Sequence, residues 1–399
     1  MLELNPPRSI ATPTLLAFPF RPFFLLAALY GAALVAAWLA FLFAGLPLPL
    51  GVNPAQWHGH EMLFGFVPAA IAGFLLTAMC NWTGAPPLAG RPLAALILLW
   101  LAGRLALWGS GLLPPWLVAL ADLSFLPVLA AYVGKVLMRH GNHRNLVLVG
   151  MLSLLTLANV FMHVGFAGIW PAGAAVGEVL ALDLIAVIIV VIGGRITPAF
   201  TANWLRLRGG SPELVRRSER LDAWAMRLTL LMVPADLAFG WPWLGALAAA
   251  AAALVNAWRL WQWRGWRAAA EPLLWILHLG MAWIVLALSL KAATPLLGLS
   301  PAAWMHALGA GAMGTLIFGV MTRVSLGHTG RPLRLPRGAR LIYWSVLLAG
   351  VARLATAFGL GDYRGGLLVS AAAWVLACVA FLALYWPILS GPRADGRPG

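Results

Sequence analysis

Apolar residues fill this chain in long uninterrupted runs, with neither the two-residue alternation of strands nor the single stripe of a surface helix. About 20 residues of helix cross the hydrocarbon core of a bilayer. Windows of that length predict spans near 23–45, 58–80, 92–110, 114–138, 145–168 and 172–193. After a polar stretch they predict six more, near 222–240, 242–263, 271–293, 301–323, 338–359 and 365–389. The seventh is the weakest, because Arg227, Pro234 and Asp236 interrupt it. The expected fold is therefore all-α: a polytopic membrane protein of about twelve transmembrane helices in two six-helix halves. An amino-terminal arm (1–22) precedes the first half (23–198), a basic linker (199–221) leads to the second half (222–389), and 390–399 forms a tail. The linker has room for a short basic amphipathic helix. No internal repeat is evident. Residues 1–22 carry Glu3, Arg8, Arg21 and several prolines, which is unlike a secretory leader.

Composition agrees with the spans. The 399 residues are 62% apolar and 10% charged, with a mean hydropathy of +0.88, where soluble chains carry roughly a quarter charged residues. A net charge of +15, from 27 basic and 12 acidic residues, would suit a nucleic-acid binder. The placement of that charge excludes one. Arg8 and Arg21, then Arg91, then Lys135, Arg139 and Arg144 occupy alternate loops or their edges. Arg195, Arg206, Arg208, Arg216, Arg217 and Arg220 follow between spans six and seven. Arg264 and Arg267, then Arg331, Arg334, Arg337 and Arg340, then Arg393 and Arg397 complete the series, while the opposite loops clearly hold only Arg364. Basic loops remain cytoplasmic, so both termini are expected there. Tryptophans such as Trp57, Trp82, Trp116 and Trp170 fall at the expected interfaces. Two cysteines, Cys80 and Cys378, are too few for a c-type haem attachment motif or an iron–sulfur cluster.

Ionisable residues inside a membrane are costly unless paired or functional, so each is a candidate. Span two opens with Trp57-His58-Gly59-His60-Glu61-Met62, span five closes near His163, and span ten opens near His306. The topology gathers these four histidines in one leaflet. Glu178 joins them there, with Asp183 one to two turns deeper on span six. Buried imidazoles converging in a bundle suit haem iron or copper. Hydrogen-bonded structural histidines remain the alternative. Residues i and i+2 point about 200° apart on a helix, so His58 and His60 face different neighbours. His58 and Glu61 share a face, which lets Glu61 orient His58 or relay a proton. His140, His143 and His328 fall in opposite loops, and His278 lies two turns into span nine, away from the cluster. Arg104 and Asp122 are placed to pair across adjacent spans, and Arg227 with Asp236 at longer range. Gly309-x-Gly311-x-x-Gly314 imitates a dinucleotide motif but has no preceding strand, and close helix packing explains it.

Several blocks resemble the NnrS family. The first is Trp57 to Phe66 continuing through Gly73-Phe74-Leu75-Leu76-Thr77-Ala78 and Asn81-Trp82-Thr83-Gly84. Gly193-Gly194-Arg195-Ile196-Thr197-Pro198 with Phe200-Thr201-x-Asn203 is a second. His306-Ala307-Leu308, Gly311-Ala312-Met313-Gly314, Gly319 to Arg323 and Leu326 to Arg331 form a third, and Phe20-Arg21-Pro22-Phe23-Phe24 is also similar. The resemblance implies a twelve-span bacterial inner-membrane protein that binds haem b, with copper as a further metal, and acts in the nitric oxide and nitrosative stress response associated with denitrification. It carries over to His58, His60, Glu61, His306, Arg195, Arg323 and His328. His163 and His278 lie outside these blocks. His328 is 22 residues from His306, roughly 33 Å along a helix, so it is expected to be structural.

The primary expectation is a haem protein that binds nitric oxide and acts as an oxidoreductase on it. His58, His60, His163 and His306 are its candidate ligands, Arg195 and Arg323 help to hold the cofactor, and Glu61, Glu178 and Asp183 deliver protons. With no cytochrome c domain, electrons would come from a quinol or another external donor. The alternative is a secondary transporter of the 6+6 type, with Asp122, Arg104, Glu178 and Asp183 lining its route.

Overall fold

The computed structural model describes residues 13–238 and 241–397. Residues 1–12 of the expected arm, 239–240 at the end of the expected seventh span, and 398–399 of the tail lie outside the described residues. Twelve long helices follow in chain order: α1 (Phe20–Ala44), α2 (Pro54–Thr83), α3 (Arg91–Trp108), α4 (Pro115–Arg139), α5 (Leu146–Phe166), α6 (Gly173–Leu207), α7 (Glu219–Asp236), α8 (Pro242–Gln262), α9 (Pro272–Leu297), α10 (Pro301–His328), α11 (Arg340–Ala357) and α12 (Tyr363–Ser390). Among the described residues, eleven of these are long and apolar enough to cross a membrane; α7, the span that charge and proline weaken, is not. The chain is a multi-pass membrane protein.

Local signals set the helix ends. Proline opens α2, α8, α9 and α10, where its missing N–H costs nothing and its φ is already helical. Asn53 and Ser300 cap α2 and α10 by accepting from the amides of Ala55 and Ala302. The left-handed Gly84 (φ 72°) ends α2. Two boundaries differ from expectation. Arg21 belongs to α1 rather than to the arm, fully buried, and donates to the carbonyls of Leu389 at 2.6 Å and Gly391 at 2.8 Å, tying the start of α1 to the end of α12. Helix α6 does not stop at 198 but continues through Pro198 to Leu207, which leaves 208–218 as the irregular connection.

Burial ranks the helices. In their most apolar stretches α2, α6 and α10 are 78%, 67% and 72% buried, against at most 56% for the other candidate spans. These three are four apart in chain order and contact one another. Each also begins on or just after Pro-Ala: Pro54-Ala55, Pro171-Ala172 and Pro301-Ala302. Such a two-residue echo is too short to read as a repeat without the packing. Around them, α1 packs on α12, α12 on α11, α5 on α6, and α8 on both α7 and α9. Leu98, Leu105, Leu254 and Trp344 are exposed on outer helices, as on a surface that faces hydrocarbon.

Both α2 and α10 widen into a π-helical turn immediately after their histidines, at Glu61–Phe66 and Ala307–Met313. Such bulges change helical phase and often sit at functional sites.

Candidate functional site

The four expected histidines divide into two pairs on either side of α2. His58 faces α1 and α10; His60 faces α4 and α5. The 200° separation expected for i and i+2 is what the two neighbourhoods reflect.

The first pair shares a cavity of about 440 Å³ where α2, α6, α10 and α12 begin and α1 and α11 end. His58, Glu178, Met305, His306, Arg353 and Trp374 are among its lining residues. The His58 ring stacks on Trp38, with centroids 5.0 Å apart and planes 13° from parallel. No hydrogen bond engages either ring nitrogen of His58 among the described residues, and its Nδ1 is buried. His306 Nδ1 lies 2.7 Å from the carbonyl oxygen of Ala302 one turn earlier. A carbonyl only accepts, so Nδ1 carries the proton and Nε2 presents a lone pair. Metal-ligating histidines are characteristically oriented in this way. Gly59 lets α6 come close: a Cβ there would stand 2.7 Å from Glu178 Oε1. Arg353 forms no ion pair among the described residues, which leaves a cation at the cavity wall.

The second pair belongs to a closed polar network among α2, α3, α4 and α5. Arg104 bridges Glu61 and Asp122 through separate guanidinium nitrogens. Asn159 donates to Asp122 Oδ2 at 2.7 Å, and His163 Nε2 does so at 2.9 Å. His60 Nε2 lies 2.8 Å from Asn159 Oδ1 and 3.1 Å from Asp122 Oδ2, while its Nδ1 lies 3.0 Å from Glu61 Oε1. Acceptors therefore face both His60 nitrogens. One proton must be held between Nδ1 and Glu61 Oε1, since otherwise two lone pairs would face each other. The charge count agrees: two carboxylates and one guanidinium leave one negative charge, which that proton balances. His60, Asp122 and His163 each offer one atom within 4.8 Å of the others, so a metal ion could also supply the missing charge. Two imidazoles and a carboxylate suit copper or zinc.

Several pairings depart from the sequence reading. Glu61 pairs with His60 and Arg104 rather than orienting His58. Asp183 contacts Lys291, whose ammonium is also 2.5 Å from Asp236; none of the three lines the histidine cavity. Asp236 thus takes Lys291 as its partner, and Arg227 lies over the Trp224 ring. Arg195 donates to Asn145 Oδ1 at 2.8 Å, and Arg323 lies over the Phe200 ring at 4.1 Å. Each is 17 residues along its helix from the cavity residue Glu178 or His306, roughly 25 Å, so neither reaches the cavity. Arg353 is the cation that does. Its only sequence signal is an unpaired charge inside span eleven. The Arg104–Asp122 pairing is as expected, although Asp122 as a partner of both histidines is not foreshadowed. His328 packs against Phe20 at the opposite end of α10, 5.7 Å between centroids.

The bundle and its two histidine neighbourhoods define a multi-pass membrane protein with a cofactor-sized interior cavity beside a buried proton-holding network. The family model described as NnrS protein matches residues 14–393, nearly the whole chain, and the chain belongs to the NnrS family. The search of curated proteins found no match.

Proposed function

We propose that the 440 Å³ cavity holds a b-type haem and that the protein binds and reduces nitric oxide in the bacterial inner membrane, within the response to nitrosative stress. The observation that carries this reading is the histidine pair. His306 has its Nδ1–H committed to a carbonyl, His58 has no hydrogen-bond partner among the described residues, and both line one cavity. The residues present fit the group. The volume lies within the ~300–1,000 Å³ common for cofactor sites, two imidazoles are free to ligate, and Arg353 can pair with a propionate. Haem iron, when bound there, supplies a site for a diatomic gas and one-electron chemistry.

The chain's own residues supply the rest. Trp38 holds the His58 ring by stacking, and the Ala302 carbonyl sets the His306 tautomer. The proton between His60 and Glu61 lies across α2 from the cavity, and Glu178 lines the cavity directly, so both are positioned as proton sources. The His60–Asp122–His163 set is where copper would bind. A second cavity of about 90 Å³, nearly free of polar surface, runs between α2, α6 and α10 and shares Val67 and Met313 with the first. Small apolar cavities admit apolar gases, which suits nitric oxide.

Purified protein supplied with haem should show a Soret band that shifts on adding nitric oxide. His58→Ala and His306→Ala should each lose or shift that band, while His60→Ala should retain it. Colourless protein, or unchanged spectra in both cavity variants, refutes the assignment. Consumption of nitric oxide with an external electron donor, rather than stoichiometric binding, distinguishes a reductase from a sensor.

A further inference from the structure

Across α6 from the histidine cavity, Lys291 of α9 joins two carboxylates that the histidine chemistry leaves unused. Its ammonium pairs with Asp183 of α6 and stands 2.5 Å from Oδ2 of Asp236, the last residue of α7. It also lies over the Trp304 ring of α10, 4.6 Å from the centroid. Trp304 directly precedes Met305 and His306, which line the histidine cavity. A separate cavity of about 190 Å³ is lined by Asp183, Asp236 and otherwise apolar residues of α6 and the end of α7. Leu180 faces this cavity and Leu182 the histidine cavity, so α6 runs between the two.

Counting charges and protons decides the state of this cluster. Asp183 and Lys291 are 1% and 7% exposed, where an unbalanced charge is costly. Two carboxylates and one ammonium leave one negative charge. Oδ2 of Asp183 is buried without a donor, and the Asp236 carboxyl stands within hydrogen-bonding reach of the Asp183 carboxyl. Two carboxylates can bond only through a proton, so one proton is shared between them and brings the cluster to neutrality. Of the other elements packed around the pair, α8 presents Gly245, whose missing Cβ makes room for Asp236 Oδ1, and α10 presents the Trp304 ring. Neither adds a charge. The two acids differ in access: the Asp236 side chain is 19% exposed at the helix end, against 1% for Asp183.

We propose that Asp236, Asp183 and Lys291 form a proton-uptake site, loaded from water at the face where the histidine cavity lies and serving the reaction in that cavity. Asp236 takes a proton from hydronium, releasing water, and shares it with Asp183. Lys291 holds both carboxylates and limits the store to one proton. Reductive coupling of two nitric oxide molecules takes up two electrons from the external donor and two protons, giving nitrous oxide and water, so it consumes what this cluster supplies. That role rests on the function proposed above; the shared proton does not.

Infrared spectra of the full chain in lipid nanodiscs at neutral pH test this. The carbonyl band of protonated carboxylic acid should lose the intensity of one acid in Asp183→Asn and equally in Asp236→Asn, because each variant leaves a single carboxylate balanced by Lys291. Lys291→Met should instead gain the intensity of one acid, since both carboxylates must then be protonated. Transfer to heavy water should shift the band promptly, as access through Asp236 requires. Unchanged acid intensity in both near-isosteric asparagine variants overturns the proposal, and so does a band that fails to exchange. No gain in Lys291→Met refutes the role given to the ammonium. Asp183→Asn should also slow steady-state nitric oxide consumption about a hundredfold while leaving the Soret shift on nitric oxide binding unchanged. Undiminished consumption with the acid band lost overturns the supply role. Colourless protein that still shows the variant-sensitive acid band refutes the haem assignment, and the supply role with it, but leaves the shared proton standing.

Discussion

Replacing Arg104 by methionine isolates the electrostatics of the network around His60. The guanidinium is 4% exposed and bridges Glu61 and Asp122, which are 0% and 3% exposed. Methionine keeps much of the side-chain volume and removes the only permanent cation, leaving two buried carboxylates against one shared proton. Breaking a buried pair in this way costs about 3–5 kcal/mol, against ~0–1 kcal/mol for an exposed pair. The loss should appear in reversible unfolding by sodium dodecyl sulfate from mixed micelles, followed by circular dichroism. The triple variant Arg104→Met, Glu61→Gln, Asp122→Asn removes all three charges together and should recover most of the loss, because uncompensated charge rather than missing volume is the cause. A single-variant cost below about 1 kcal/mol would show that water already screens these groups. A triple variant no better than the single would show that packing, not charge balance, governs the site.

Two further outcomes follow from proton placement. Copper(II) or zinc binding through His60 Nε2, Asp122 and His163 must expel the His60 Nε2 proton, since ligating imidazole nitrogens must be free, and the proton already shared between Nδ1 and Glu61 leaves it no place on the same ring. Metal added to weakly buffered protein at neutral pH should release about one proton per ion bound; His163→Ala should abolish this, and tight binding without release would contradict the shared proton. At the other face, the hydrogen bond from Arg393 holds Asp395 down to about 2, below an ordinary aspartate near 3.9. A lowered folded value means its contribution is present above that ordinary value and is lost as pH falls through about 2. Arg393 also donates to the His328 carbonyl at 3.0 Å, and the Ala394 amide to that of Thr329 at 2.9 Å. Hydrogen exchange at Ala394 should therefore accelerate as pH falls from about 4 towards 2 after correction for intrinsic rates, and Asp395→Asn should show that loosening already at neutral pH. A pH-independent protection factor would exclude the linkage.

Much of this could be read from the chain before any packing was known. Apolar runs of bilayer length foreshadowed all twelve long helices, and the charged seventh is the one that falls short of a membrane span among the described residues. The placement of His58 and His60 on opposite sides follows from 100° per residue and nothing else. The pairing of Arg104 with Asp122 was legible because two buried opposite charges on adjacent spans have few other ways to be satisfied. What failed was pairing by i,i+3 proximity alone: Glu61 turns to the Arg104 cation and to His60 instead of to His58. Shared motif blocks say nothing of depth: Arg195 and Arg323 lie in recognisable sequence but 17 residues along their helices from the cavity residues Glu178 and His306.

The chain by itself determined that it is helical and spans a membrane, because a backbone in hydrocarbon must satisfy its own hydrogen bonds and only long apolar helices do so here. It also determined which rare polar residues could carry chemistry. Tertiary structure decided which of them meet: His58 with His306, His60 with Asp122 and His163, Arg353 rather than Arg195 at the cavity, and Lys291 with Asp183 and Asp236. A membrane helix that is apolar on every side carries no stripe to say which face turns inward. Between such helices, small residues and close packing choose the contacts, as Gly59 does where Glu178 meets α2. Those choices exist only once the helices are assembled.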